Sequence, residues 1–261
     1  MMVCRGPLLV GLFLCLLFFL LPSFVAASCQ SFESPTPQVK VAKVFDGDTL
    51  ELKDGRRIRL IGINTPEIGR QGRTDETGAR AARRLLQSLL EASAQRIYLR
   101  PGEEQQDRYH RHLAHLYNAD GENLTERLLA AGVGLQIAIP PNLQNLDCYG
   151  QAEAEARAVG RGLWKGSDFP LDVSRLRARE RGFYLLRGLV ARAKRERDRI
   201  WIDLQGGVEL WVHNDELPYF GDFKPELLAG RPLEVRGWLY PGKDGLRMRL
   251  RHPAAIRWLD R

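Results

Sequence analysis

Residues 39–64 read VKVAKVFDGDTLELKDGRRIRLIGIN, and this stretch decides the fold of the N-terminal half of the chain. It contains three runs rich in apolar residues, at 39–44, 49–52 and 57–63, and the first of them alternates between apolar and polar residues. A period of two residues predicts strands that bury one face. Asp-Gly pairs between the runs, at 46–47 and 54–55, favour tight turns. The stretch therefore predicts three consecutive strands.

On the C-terminal side of these strands, further elements complete a small domain. The segment 77–90 has leucine and alanine on one helical face and arginine on the other, which predicts an amphipathic helix. The remaining predicted elements are strands at 96–99 and 112–117 and helices at 124–131 and 151–159. This order predicts an α+β, mostly β domain over residues 38–166, a five-stranded oligonucleotide/oligosaccharide-binding (OB) barrel with appended helices.

A similar order of elements returns in residues 181–261, after a segment at 167–180 that has the composition of a linker. It predicts a second, smaller OB-like β-barrel. Residues 38–166 carry 19 basic and 17 acidic side chains, whereas residues 167–261 carry 19 and 14. The formal charge of the 261-residue chain is +7, and such an excess favours polyanionic partners.

The N-terminus has the pattern of an export signal. Arg5 precedes the apolar run 8–21, and small residues follow at 26–28, so we expect a signal peptide over residues 1–27 and a short leader over 28–37. The expected location is secreted or periplasmic. Two alternatives remain open, since an uncleaved segment could anchor the chain in a membrane and Cys29 could carry a lipid.

Export also changes the cysteine count. Cys4 and Cys15 belong to the signal, which leaves Cys29 and Cys148 as an even pair in an oxidising compartment. We therefore expect a disulfide between Cys29 and Cys148, with two unrelated free thiols as the alternative.

Four short segments of the first domain carry candidate chemistry. They read DGDT at 46–49, RLIGINTPE at 59–67, DRYHR at 107–111 and GRGLW at 160–164. Clustered oxygen donors suit a hard cation such as Ca²⁺, and arginine forks match phosphate oxygens. A separate carboxylate can deprotonate an attacking water. The combination is what metal-assisted phosphodiester hydrolysis requires.

In these segments, residues 38–166 resemble the staphylococcal nuclease (thermonuclease) family in order and spacing. The resemblance implies that Asp48 ligates Ca²⁺ and that Thr65 lends its backbone carbonyl to the metal. Asn64 stands where the best-studied member of the family has a second metal-ligating aspartate. We therefore expect weaker metal binding or a different metal preference, rather than an absent site.

The resemblance also implies the catalytic and substrate-binding roles. Glu67 matches the carboxylate usually given the role of general base. Arg59 and Arg111 match the two arginines that bind phosphate and stabilise the transition state. Arg108 and Tyr109 match a basic-plus-tyrosine pair that holds a terminal phosphate. The substrate-stacking tyrosines of the family are missing around residues 136–142, so its base preference does not carry over.

Two functional hypotheses follow. The first is an exported, Ca²⁺-dependent endonuclease that hydrolyses DNA with low sequence specificity, with RNA as a second candidate substrate. The alternative is a non-catalytic nucleic-acid-binding protein on a nuclease-like scaffold. Nucleic acid is the expected partner in both, no stable protein partner is implied, and membrane contact is expected only if the signal stays uncleaved or Cys29 is lipidated.

The second domain has no comparable chemistry. Its charged segment 194–199 is typical of a solvated turn. The functional alternative is a patch that follows a phosphate backbone, with Trp201, Trp211 and Trp238 available for base stacking if they are exposed.

Overall fold

The structure is a computed structural model that describes residues 29, 37–166, 169–222, 224, 227–243 and 245–260. The expected signal peptide and all of the expected leader except Cys29 and Pro37 lie outside the described residues. Within the described part of the chain, no helix is both long enough and apolar enough to cross a membrane.

The N-terminal half forms a closed five-stranded barrel with three helices. Its elements are, in chain order, β1 (Val39–Val44), β2 (Thr49–Leu52), β3 (Arg57–Leu60), β4 (Ile63–Asn64), α1 (Ala79–Ala92), β5 (Arg96–Gln106), β6 (His112–Tyr117), α2 (Leu124–Ala130), β7 (Leu135–Gln136) and α3 (Leu146–Ala158). The barrel order is β1-β2-β3-β6-β5, and β5 closes it against β1. Only the β3–β6 pair of this barrel is parallel, because the chain between these strands crosses over through α1. The predicted barrel with appended helices is confirmed.

The predicted third strand ends earlier than expected. Its pairing with β2 and β6 stops at Leu60, and the chain turns at Gly62, which has a φ of 86°. A Cβ at Gly62 would lie 2.3 Å from Cε2 of Tyr149, so only glycine fits the turn. The turn starts β4, which pairs with β7 instead of continuing the barrel. It thereby brings Asn64 and Thr65 back toward the corner between β1 and β2.

The barrel core is closed by the helices. Leu50, Ile58 and Leu116 from the strands and Leu86 from α1 are fully buried in one cluster. Cys29 and Cys148 are joined by a disulfide with a Cα–Cα distance of 5.4 Å, which ties the chain before the barrel to α3.

The C-terminal half forms a second closed barrel. Its elements are β8 (Leu171–Asp172), β9 (Gly182–Glu196), β10 (Arg199–Leu204), β11 (Val208–His213), β12 (Pro232–Pro241), β13 (Leu246–Arg249) and β14 (Ile256–Trp258). The closed order is β9-β10-β11-β13-β12, with β12 paired to β9. Its third and fifth strands, β11 and β13, are again the parallel pair. The two barrels share one topology, and the expected second barrel is confirmed.

The segment expected to be a linker contributes to the second barrel. Within residues 167–180, β8 pairs with β9, and Val173 is buried in the core of that barrel.

The two barrels are joined by an apolar cluster and two buried ion-pair groups. The cluster contains Leu135, Ala156 and Trp164 from the first half and Leu185 from the second. In the first ion-pair group, Arg236 of β12 lies 2.6 Å from Glu153 of α3. In the second, Glu234 of β12 accepts hydrogen bonds from Arg157 of α3 at 2.7 and 2.9 Å.

Candidate active site

Asp48 lies at the centre of the candidate site, where the chain turns from β1 into β2. Its side chain is 1% exposed. Oδ2 accepts hydrogen bonds from the backbone N–H of Thr65 at 2.7 Å and from Thr65 Oγ1 at 2.9 Å. Oδ1 accepts a hydrogen bond from Thr49 Oγ1 at 3.0 Å. These hydrogen bonds of Asp48 therefore hold the segment that follows Gly62 against the start of β2.

Arg59 connects two of the proposed metal ligands. Its Nη1 lies 2.6 Å from Asp48 Oδ1, and its Nη2 donates a hydrogen bond of 3.1 Å to Asn64 Oδ1. Arg59 and Asn64 are both buried. The structure thus brings Asp48, Arg59, Asn64 and Thr65 together, although 17 residues separate Asp48 from Thr65 along the chain.

Asp46 belongs to the same group, and sequence reasoning did not select it. The residue is 3% exposed, and its Oδ1 accepts a hydrogen bond of 3.1 Å from the backbone N–H of Asp48. Burial, followed by the negative charges of Asp48 and Glu67, raises the pKa of Asp46 to about 7. The signal was the first acid of the DGDT segment, which also fits an ordinary turn.

Glu67 is exposed and lies near this group of charges. Its backbone N–H donates a hydrogen bond of 2.9 Å to Glu76 Oε2. Desolvation of the carboxylate and the charge of Asp48 raise the pKa of Glu67, while Arg59 and Arg111 act in the opposite direction. A carboxylate with a raised pKa is a stronger proton acceptor, as a general base needs.

Arg111 is oriented by Asp107, a second residue that sequence reasoning did not select. Asp107 Oδ2 accepts a hydrogen bond of 2.7 Å from Arg111 Nε, and Oδ1 accepts from the backbone N–H groups of Tyr109 and Arg111. Burial opposes ionisation of Asp107, but these hydrogen bonds outweigh it and lower its pKa. Arg111 Nη1 also lies 3.4 Å from Thr49 Oγ1, which connects it to the group around Asp48.

Arg108 and Tyr109 lie on the rim beside Arg111. Arg108 Nη2 donates a hydrogen bond of 2.8 Å to the hydroxyl of Tyr109, whose side chain is 63% exposed. The Tyr109 ring centroid is also 5.6 Å from the guanidinium of Arg111. The structure therefore places the expected terminal-phosphate pair next to an expected catalytic arginine, open to solvent.

The donor set at the centre fits a hard divalent cation. Asp46 and Asp48 offer carboxylate oxygens, Asn64 an amide oxygen, and Thr65 a backbone carbonyl, so oxygen is the only donor element that they present. Such a set suits Ca²⁺, Mg²⁺ or Mn²⁺ and is unsuited to soft metals.

The aromatic residues of the second barrel form a different arrangement. Trp201 and Trp211 are cross-strand partners on β10 and β11, and the guanidinium of Arg199 lies 5.6 and 5.2 Å from their ring centroids. Arg199 is itself paired with Asp198 at 2.7 Å. Trp238 is 45% exposed and packs edge-on against Phe183. Guanidinium groups thus lie against both indoles of the cross-strand pair, while the base-stacking role considered from the sequence stays a hypothesis.

Comparison with known proteins agrees with this geometry. The family described as "Staphylococcal nuclease homologue" matches residues 57–166. A protein named thermonuclease from Staphylococcus intermedius is 32% identical over 128 residues, covering 48% of this chain and 74% of its own length. An uncharacterized endonuclease from Escherichia coli O157:H7 is 32% identical over 139 residues, covering 49% and 78%. A succinoglycan biosynthesis protein from Rhizobium meliloti is 30% identical over 134 residues, covering 49% and 65%. The chain therefore belongs to the staphylococcal nuclease family and is an endonuclease, a hydrolase of phosphodiester bonds.

Proposed function

We propose that this enzyme hydrolyses phosphodiester bonds in DNA and RNA with low sequence specificity, that its divalent metal is Ca²⁺, and that it acts after export. The observation that carries the proposal is the buried cluster in which Asp48, Arg59, Asn64 and Thr65 contact one another. A protein that only binds nucleic acid has no need to bury a carboxylate, an arginine and an amide in contact. The non-catalytic alternative is therefore less favoured.

The metal would be held by Asp48, Asn64 and the carbonyl of Thr65, with Asp46 beside them. A cation bound there supplies positive charge to the phosphate oxygens in the transition state. Only two of these groups are carboxylates, and Asp46 is the one whose pKa is raised to about 7, so we expect modest metal affinity.

The side chains of the protein carry the remaining steps. Arg59 and Arg111 bind the nonbridging oxygens of the scissile phosphate through their guanidinium forks, which stay charged throughout. Glu67 accepts a proton from the attacking water while the oxygen of that water forms a bond to phosphorus. The bond from phosphorus to the 5′ oxygen breaks, and the 5′ oxygen leaves in line and takes up a proton from solvent to become a hydroxyl. Arg108 and Tyr109 hold a neighbouring phosphate at the rim.

Export is supported by two observations. The first 27 residues have the charge and hydropathy pattern of a signal peptide. The disulfide between Cys29 and Cys148 is a bond that persists in oxidising compartments.

A digestion assay tests this function. The mature protein is incubated with single-stranded DNA, duplex DNA and RNA, in Ca²⁺, in Mg²⁺ and with a chelator. Arg111→Ala and Glu67→Ala should each lower turnover by roughly 100-fold or more, because each removes a group that stabilises charge or accepts a proton. Arg96→Ala, which removes an exposed arginine from β5, is the control and should cut normally.

Two results would contradict the proposal. Near-wild-type turnover in both variants, with folding verified by circular dichroism, would remove the site from the reaction. Tight binding of nucleic acid without cleavage in either metal would favour the non-catalytic alternative.

A further inference from the structure

Phe45 lies beside the active site with three cations around its ring. The side-chain nitrogen of Lys43 is 5.0 Å from the ring centroid, and the guanidinium carbons of Arg57 and Arg70 are 4.7 and 5.4 Å away. Phe45 is half-buried, whereas the three cations are exposed. We call these four residues the Phe45 cluster.

Strands β1 and β3, with β2 between them, and one loop build the cluster. Lys43 on β1 is the register partner of Glu51 on β2, and Glu51 is the register partner of Arg57 on β3. Cross-strand partners share one face of a sheet, so Lys43 and Arg57 emerge on the same outer face of the barrel. Arg70 reaches the ring from the loop that follows the active-site segment. An aromatic ring attracts cations through its negative face, and here it gathers three.

The charge of this cluster is poorly neutralised. In the described part of the chain, no carboxylate oxygen lies within 4.0 Å of the charged group of Lys43 or of Arg57, although Glu51 is between them on the sheet. Nearby arginines are paired, as Arg56 is with Asp54 at 2.8 Å and Arg111 with Asp107 at 2.7 Å. Cations held close together without acids repel one another, and a polyanion would relieve this repulsion.

The cluster is continuous with the catalytic group. Arg70 Nη2 lies 3.8 Å from Asp46 Oδ2, and Asp46 accepts a hydrogen bond from Asp48. The pair of Arg108 and Tyr109 joins the same group through Arg111 instead. The Phe45 cluster and the pair of Arg108 and Tyr109 therefore contact the catalytic group through different residues. A nucleic-acid strand bound at the catalytic group could contact both of these basic sites.

We propose that Lys43 and Arg57, held together by Phe45, bind backbone phosphates of the polynucleotide beyond the scissile one. This inference rests on the proposed function, and it adds to that function a second phosphate-binding site, outside the catalytic group. The contacts are to phosphates, so they would strengthen binding of every sequence alike.

The test is the salt dependence of binding. A fluorescent single-stranded DNA of roughly 20 nucleotides is titrated with the full chain in a chelator, so that no cleavage occurs, and anisotropy is read at several NaCl concentrations. Each phosphate contact contributes about 0.7 to the slope of log Kd against log salt on single strands. The double variant Lys43→Ala/Arg57→Ala should therefore lose about 1.4 from this slope and bind roughly tenfold more weakly at low salt.

The matched control is Lys40→Ala/Arg96→Ala. These two exposed cations are also cross-strand partners, at the opposite end of β1, and their removal lowers the net charge equally. The control should keep the wild-type slope. Phe45→Leu keeps an apolar side chain but removes the ring, and it should lose part of the slope. Equal slopes in the wild type and in Lys43→Ala/Arg57→Ala, or equal losses in the test and control pairs, would overturn the proposal.

Cleavage gives a second readout. With Ca²⁺ present, Lys43→Ala/Arg57→Ala should raise KM for the long strand by roughly tenfold, leave kcat within about twofold, and leave a dinucleotide substrate unaffected. A fall in kcat on the dinucleotide would assign these residues to the chemistry and overturn the inference. Failure of the wild type to cleave would contradict the proposed function, whereas the binding slopes test the Phe45 cluster separately.

Discussion

At the scale of single residues, Asn64 is the feature that distinguishes the proposed metal site. Its amide oxygen accepts a hydrogen bond from Arg59, which also pairs with Asp48, so one guanidinium bridges the two side chains proposed as metal ligands. A carboxylate at this position would add a full negative charge to the same buried pocket. Metal affinity at oxygen sites rises with the number of charged ligands.

Asn64→Asp should therefore tighten Ca²⁺ binding, on the order of tenfold, because it adds one anionic ligand. Calorimetric titration with Ca²⁺, in the presence of the same nonhydrolysable substrate analogue, measures the change. Asn214→Asp adds the same charge at an exposed position of the second barrel and is the control. Equal or weaker Ca²⁺ binding by Asn64→Asp would mean that Asn64 does not face the metal.

At the scale of elements, the turn at Gly62 positions the segment that is proposed to bind the metal. It ends β3 after Leu60 and starts β4, so that Thr65 reaches Asp48. The space next to Gly62 is filled by the ring of Tyr149, which is fully buried. The hydroxyl of that ring is hydrogen-bonded to Asn123 and to His115, at 2.9 and 2.7 Å, so the ring has no room to move aside.

Gly62→Ala should lower the free energy of unfolding by about 3 kcal/mol or more, because it combines backbone strain with a steric clash. Gly55 is the matched control, since its φ of 88° is nearly the same but a Cβ at this position would have no atom within 4 Å. Gly55→Ala should cost about 1 kcal/mol. Urea denaturation measures both values, and similar losses in the two variants would show that Tyr149 does not constrain the turn.

At the scale of the whole molecule, the barrels are coupled through α3. Glu153 and Arg236 form a buried ion pair, and Glu153 also accepts a hydrogen bond of 2.7 Å from the backbone N–H of Gln136. Glu234 is 1% exposed and is surrounded by Arg157, Arg187 and Arg257. Burial opposes its ionisation, but hydrogen bonds from the three arginines prevail and lower the pKa of Glu234 to about 2. These ion pairs join β12 of the second barrel to α3 of the nuclease half.

Arg236→Met should destabilise the protein by about 3–5 kcal/mol, because it leaves the carboxylate of Glu153 buried without a cation. Adding Glu153→Gln to this variant should recover much of the loss, since the unpaired charge is then gone. Thermal unfolding of the two single variants and the double variant forms a double-mutant cycle. Additive losses would show that the pair does not couple the barrels.

The same network predicts a dependence on pH. The pKa of Glu234 is lower in the folded chain, about 2, than its ordinary value of 4.5, so the unfolded chain binds more protons between these values. The stabilisation is complete above the ordinary value and should be lost as the pH falls toward 2. Glu234→Gln should flatten the dependence of the unfolding midpoint on pH in this interval, and an unchanged profile would contradict it.

The sequence by itself determined the parts of this protein that depend on short stretches of chain. Alternation over 39–44 and 49–52 was enough for the strands, because the period of apolar residues is a local property. The order of the predicted strands and helices was enough to predict two barrels of the same topology. The resemblance of the segments that contain Asp48, Arg59, Glu67 and Arg111 to the staphylococcal nuclease family was enough to predict the family and phosphodiester hydrolysis.

The tertiary structure decided what depends on contacts between distant residues. Apolar residues continue through Ile63, so the packing of Tyr149 against Gly62 is what shows where β3 ends. Asp46 fits a plain turn until burial beside Asp48 raises its pKa to about 7. Phe45 and its three cations come from separate strands and a loop. Arg236 contacts Glu153 although the two residues are 83 positions apart in the sequence. Local patterns carry no information on such pairs, because the barrels must close before these side chains come into contact.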